Sequence, residues 1–245
     1  MFSRFKSGSI QKSKFKNYLL YALGEIILVV AGILIALQVN NSNQNALKKE
    51  QEIKILSEIN IALIADTVNL AGFNQRVDFN TKVISSLIDY LSSDKPYKDS
   101  LDYYFPMVVT PFMWSESNSA YKTLLSKGLD LVSNDEIRND IIVINTSLYE
   151  TIKYLDGGVY IKYPYIHEYC LKHFDVVGSE GVDENGKYSA AKMKPNNYEE
   201  LKADPEFLTI LRTVKQQNGV FLNILNATKN KVKLTIEKIE EEIKA

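Results

Sequence analysis

Residues 18–39, YLLYALGEIILVVAGILIALQV, decide the architecture of this chain. Between Ile26 and Leu37 no side chain is polar. Allowing for Gly24, Glu25 and Gln38, about 21 residues can lie in or near hydrocarbon, and a helix of that length covers roughly 30 Å, one bilayer. Before the stretch stand Arg4, Lys6, Lys12, Lys14 and Lys16, with no acid among them. Basic residues beside a span end resist translocation, so the arm 1–17 is expected in the cytoplasm. The polar run Asn40 to Asn45 marks the exit, and residues 40–245 are expected on the far side, in the periplasm of a two-membrane cell. A cleaved signal peptide is the alternative. Its apolar core is usually about 7–15 residues long with a small-x-small cleavage site, and Ala36-Leu37-Gln38 fits that poorly.

Within the span, Gly24, Leu28, Gly32 and Ala36 recur every fourth residue and line one helix face. Gly32-x-x-x-Ala36 suits close approach of a second helix, although ordinary glycine and alanine content of a span gives the same spacing. Glu25 sits about 10 Å of helix rise beyond Tyr18. An ionised acid at that depth is costly, which leaves protonation, snorkelling toward the basic arm, or pairing within an oligomer. Gly24, Glu25, Gly32 and Ala36 are therefore the helix-association candidates. One span with one acid forms no ion pathway by itself.

The remainder has the composition of a folded domain: 45 % hydrophobic and 11 % aromatic residues over the chain supply a core for about 200 residues. Of 29 basic and 30 acidic residues, five basic ones and Glu25 belong to the arm and span, which leaves 24 against 29. That net −5 argues against a nucleic-acid partner. The lipid bilayer is the expected partner, with a homo-oligomer or a partner membrane protein left open.

Periodicity predicts an all-α domain, an antiparallel helical bundle. Ala46–Ala71 reads as helix, with Ile53, Leu56, Asn60, Leu63, Thr67 and Leu70 stepping by three and four and Ile55, Ile59 and Ala62 widening the face. Gly72 allows a break before a second helix marked by Val77, Ile84, Ile88 and Leu91. Pro96, Pro106 and Pro111 then interrupt a segment, 96–115, crowded with aromatic residues. These form either a binding surface or the plug of a bundle end. Gly128 fits a C-cap, and Ser133 with Glu136 has capping-box spacing. Ile137, Ile141, Ile144, Leu148, Ile152 and Leu155 predict an amphipathic helix ending at Gly157-Gly158, followed by a tyrosine-rich piece over 160–174. Residues 178–197 have little to bury and are expected as a surface loop. Asp204-Pro205 is a strong helix start. From there Phe207, Leu211, Val214, Asn218, Phe221, Leu225, Thr228, Val232, Thr235 and Ile239 form a near-heptad seam. That long C-terminal helix is expected to pack back on Ala46–Ala71, with an intermolecular coiled coil as the alternative.

His167-x-x-Cys170-x-x-His173 gathers both histidines and the single cysteine. Three ligands at i, i+3 and i+6 spread up to about 9 Å along a helix axis, which strains a tetrahedral metal site and favours ordinary packing. No phosphate loop, zincin motif or thioredoxin-like pair is present. No catalytic, cofactor-binding or metal-ligating residue is assigned, no cofactor is expected, and the chain is not read as an enzyme.

The anchor and its flanks, Lys16-Asn17-Tyr18-Leu19 and then YALGEIILVVAGILIALQVNN from Tyr21 to Asn41, resemble the DUF6090-type family of single-pass membrane proteins of Bacteroidota. Ser119–Asn139, SAYKTLLSKGLDLVSNDEIRN, resembles that family's helix–turn–helix stretch more weakly. The resemblance implies residence in the inner membrane of a two-membrane bacterium and supplies no reaction. Two function classes follow: a membrane-tethered interaction or scaffold protein, and, as the alternative, a ligand-binding sensor domain that signals through a partner membrane protein.

Overall fold

The computed structural model describes residues 8–110, 112–178, 181–182 and 188–244, without the side chains of 8–17, 157–163, 182 and 188–189. The chain forms two compact units, Met1–Ile53 and Lys54–Ala245, and helix α1 (Gly8–Leu91) contributes to both.

In the first unit every large apolar side chain from Tyr18 to Val39 is exposed. Eighteen consecutive residues average 2.5 in mean hydropathy, and none of them is buried. The core helix of a soluble domain would cover such a stretch, whereas a helix whose solvent is lipid leaves it bare. Among the described residues this is the one helix long and apolar enough to cross a membrane. Of the basic arm 1–17, residues 1–7 lie outside the described residues, and 8–17 are helical.

The second unit is the expected all-α bundle with a long C-terminal helix. Its α1 portion does not break at Gly72, because Leu70 and Phe73 on either side are fully buried and hold the helix to the core. The buried stripe runs Leu56, Ile59, Leu63, Asp66, Leu70, Phe73, Val77, Asn80, Ile84, Leu87 and Leu91, alternating steps of three and four. Of the expected face, Ile55, Leu56, Ile59, Leu63 and Leu70 are buried, whereas Asn60 and Thr67 lie at its edge; Asp66 takes the core position beside Thr67, whose hydroxyl bonds back to the Ile64 carbonyl at 2.7 Å.

Helix α2 (Ser119–Lys127) ends on Gly128, whose φ of 101° only glycine adopts without strain. Helix α3 (Asp135–Val143) is capped by Asn134, which accepts from the Glu136 and Ile137 amides; the expected cap, Ser133, lies one residue too early. A π turn (Ile144–Leu148) then passes without interruption into α4 (Tyr149–His173). Buried positions here step Ile137, Ile141, Ile144, Tyr149, Ile152, Asp156. The five-residue step falls at the π turn, where the Tyr149 amide donates to the Ile144 carbonyl. That extra residue moves Tyr149 into the place the regular pattern gives to Leu148. Helix α4 also continues through Gly157-Gly158 and Pro164, since Ile152 on one side and Ile166, Tyr169 and Cys170 on the other are all buried.

Residues 178–197 are not simply a surface loop. Strand β1 (Phe174–Gly178) pairs antiparallel with β4 (Lys192–Pro195), and a shorter ribbon pairs β2 (Gly181–Val182) with β3 (Tyr188–Ser189). Phe174 and Met193 anchor the first ribbon by burial. Residues 179–180 and 183–187 lie outside the described residues. After the short α5 (Tyr198–Ala203), α6 (Pro205–Lys244) starts at Pro205 as expected, with the Asp204 carboxylate accepting the Glu206 amide at 2.8 Å.

Helix α6 runs antiparallel to α1: Asn218 donates to Asn80 at 2.8 Å, Asn74 donates to Asn226 at 2.9 Å, and Phe221 meets Phe73 edge-on at 5.4 Å. Every member of its expected seam is buried except Val214. Two apolar clusters result. One joins Ile55–Val77 of α1 to α2, α3, the start of α4 and the second half of α6; the other joins Ile84–Leu91 to the 101–108 turns, the end of α4, the β1–β4 ribbon and the first half of α6.

Candidate functional site

The predicted association residues lie on the exposed part of α1. Gly24, Gly32 and Ala36 share one face by their four-residue spacing, and Glu25 is exposed beside them. A side chain added at Gly24 or Gly32 would meet nothing within 4 Å.

The histidine–cysteine group is not drawn together. Cys170 is buried in the second cluster, and burial pushes its thiol up to about 12, the opposite of the shift that activates a thiolate. His173 is exposed and stacks on Tyr169, and His167 is exposed. Among the described residues no group of three or more His, Cys, Asp or Glu is placed to hold a metal ion.

The aromatic segment 96–115 divides its side chains between the two clusters. Phe105 is buried in the second. Phe112 and Trp114 pack on the first, edge-on to Phe73 at 5.8 and 5.5 Å. Two buried acids that the sequence reading passed over pin the strand of chain that follows. The Asp156 carboxylate accepts the amides of Met113 and Trp114, and Asp66 accepts the Ser117 amide at 2.9 Å and the Tyr149 hydroxyl at 2.8 Å. Burial raises the Asp66 carboxyl above its ordinary value, against the lowering pull of those hydrogen bonds. Glu116 is nearly covered and pairs with Lys153 at 2.5 Å. The Trp114 indole N–H is buried without a protein acceptor.

This bracing presents Met113 outward, 74 % exposed, in the left-handed backbone region at φ 59°. A non-glycine residue held there costs about 1–3 kcal/mol, so the surrounding anchors have to over-determine it. Met113 borders a cleft of about 430 Å³ with Val68, Gly72, Arg76 and Trp114, and a second of about 390 Å³ with Arg76, Phe79, Tyr103 and Phe112.

Both clefts open beside the outer face of α1, opposite its buried stripe. Ile61 (68 % exposed), Ile64, Val68 (69 %) and Phe79 (56 %) stand in solvent there with Ala65 and Gly72. From Ile59 to Gln75 the only charged residue is Asp66, which is buried. A solvated helix face of that length ordinarily carries charges, and an apolar patch of several hundred Å² on a folded domain marks a contact surface. The face with its Met113 shoulder is the candidate site, suited to burying an apolar helix or segment. No protein-family model matches the chain, and no curated protein or solved structure matches it either.

Proposed function

We propose that this membrane-anchored chain is an interaction or scaffold protein whose helical domain docks a partner on the outer face of α1. The carrying observation is the bare, charge-free stretch of Ile61, Ile64 and Val68, continued past Arg76 and Asp78 by Phe79, beside an outward-braced Met113. In this reading residues 18–39 remain as an uncleaved anchor in the inner membrane, with arm 1–17 in the cytoplasm and domain 40–245 in the periplasm. The lysine-bearing arm supports that orientation, and the inner-membrane compartment is proposed from the resemblance to DUF6090-type proteins read in Tyr21–Asn41. Gly24, Glu25, Gly32 and Ala36 supply a second contact inside the bilayer. A photo-crosslinking residue at Val68, activated in intact cells, tests the docking: defined adducts are expected there and not from the exposed Lys233 of α6. Equal labelling at both positions would sink the reading. A reporter active only outside the cytoplasm, fused at Ala245, tests the orientation.

A ligand-sensing role is the second reading. The cleft of about 390 Å³ joining Arg76 to Phe79, Tyr103 and Phe112 favours it, since that lining suits a small apolar anion. Ligand-dependent protection of Tyr103 and Met113 in footprinting would favour it over docking.

A further inference from the structure

We infer that the occupant of the α1 outer face is a second copy of this chain, lying parallel and in register along Ile61–Phe79. The inference rests on the docking reading above and names its partner.

The outer positions Ile61, Ala65, Val68, Gly72, Gln75 and Phe79 are all exposed and step by four, three, four, three and four. That 3.5-residue repeat is what two helices need to keep one seam in contact over several turns. The same helix thus carries two heptad stripes, one closed against its own domain and one left open. The open stripe is bounded in the same phase by Glu58 and Lys82, so its apolar length is set by charge at both ends.

A like partner suits it for three reasons. Copies anchored by the same residues in one bilayer share chain direction and register, so each outer residue meets its counterpart. Between Ile61 and Gln75 that pairing sets no charge against a like charge, while Glu58, Arg76 and Lys82, outside that stretch, each meet their own counterpart. Ala65 and Gly72 let the axes approach while Ile61, Val68 and Phe79 fill the seam, and Gln75 facing Gln75 of the second copy rewards the aligned register. Ile61, Ile64, Val68 and Phe79, with Met113 as a shoulder, are 44–74 % exposed and supply the apolar surface that a second copy would cover. Confinement to one membrane plane raises the effective concentration, which favours a small interface.

The test is thiol crosslinking of the full chain in its own membrane with a short bis-maleimide. Cys170 stays in place because its thiol is buried. Ile61→Cys should give mostly a product of doubled mass, while Lys215→Cys on the exposed side of α6 should give none. Adding Val68→Glu to Ile61→Cys should lower the doubled product at least tenfold, with circular dichroism matching the parent. Equal yields at both positions would overturn the inference. So would joining of Ile61→Cys to Phe79→Cys in mixed copies, since a parallel pair holds those residues about 27 Å apart along the axis. An adduct of Ile61→Cys that is not of doubled mass overturns the second copy but keeps the docking reading; no adduct of any mass overturns both.

Discussion

The two faces of α1 between Lys54 and Leu91 invert the usual arrangement. The inner face buries Asp66 and Asn80 among its apolar residues, and the outer face exposes Ile61, Ile64, Val68 and Phe79. Each inner polar group has a structural task. Asp66 ties down Ser117 and Tyr149, while Asn80 accepts from Asn218 and donates to the Met107 carbonyl at 2.7 Å. The outer apolar groups lie outside both apolar clusters of the domain. Polarity inside this helix therefore positions neighbours, and apolarity outside it awaits something else.

The sharpest way to break the comparison is a pair of phenylalanines. Phe73→Ala should lower unfolding stability by about 3–5 kcal/mol, because its ring is fully buried among three aromatic partners. Phe79→Ala should cost no more than about 0.5 kcal/mol in the same denaturant titration of detergent-solubilised chain, yet weaken association. Equal costs would mean that both faces are packed. Next comes Asp66→Ala, expected to cost about 2–4 kcal/mol by leaving the Ser117 amide and the Tyr149 hydroxyl without an acceptor. Its proteolysis pattern should show earlier cleavage within 112–118.

Acid titration sharpens the picture further, because two buried acids shift in opposite directions. Burial works to raise Asp140, but hydrogen bonds from Lys231 and Lys238 outweigh it and hold the carboxyl below 3.8. Its contribution is complete above that value and is lost as pH falls through the folded-state value. Asp140→Asn should cost about 1–2 kcal/mol at neutral pH and flatten the stability loss below about pH 4. Asp66, raised mainly by burial, has the other sign: folding favours its protonated form, and that preference is lost as pH rises through the folded-state value. The smallest effect is a gain. Thr228 buries a hydroxyl with no partner among the described residues, so Thr228→Val should stabilise by about 1 kcal/mol, read as a rise in the denaturant midpoint.

The same inversion explains what could be read beforehand. The span, the bundle class, the Asp204-Pro205 start and the α6 seam were legible because each rests on one dominant pattern. In α1 two heptad stripes compete, and a strict three-four count places Asn60 and Thr67 at the edge of the buried face, beside Ile59 and Asp66. Asp66 and Asp156 were missed because a buried acid looks like a surface acid until its amide donors, 51 and 42 residues away, are in place. Met113 carried no signal at all, since nothing in a methionine announces a left-handed backbone. The ribbon over 174–195 was hidden by weak, short strands whose pairing needs Phe174 and Met193 to find the second cluster.

The π turn at Ile144–Leu148 makes this domain asymmetric toward changes in its own length. Because the π turn absorbs one surplus residue while keeping the Tyr149 hydroxyl on Asp66, deleting Thr146 would restore a regular α turn and leave that hydroxyl on the same face, whereas deleting Lys153 from the regular part of α4 would swing everything after it by about 100°. Loss of one residue is therefore tolerated at the π turn and not along the rest of α4, so the local irregularity works as slack in the phase of the whole helix.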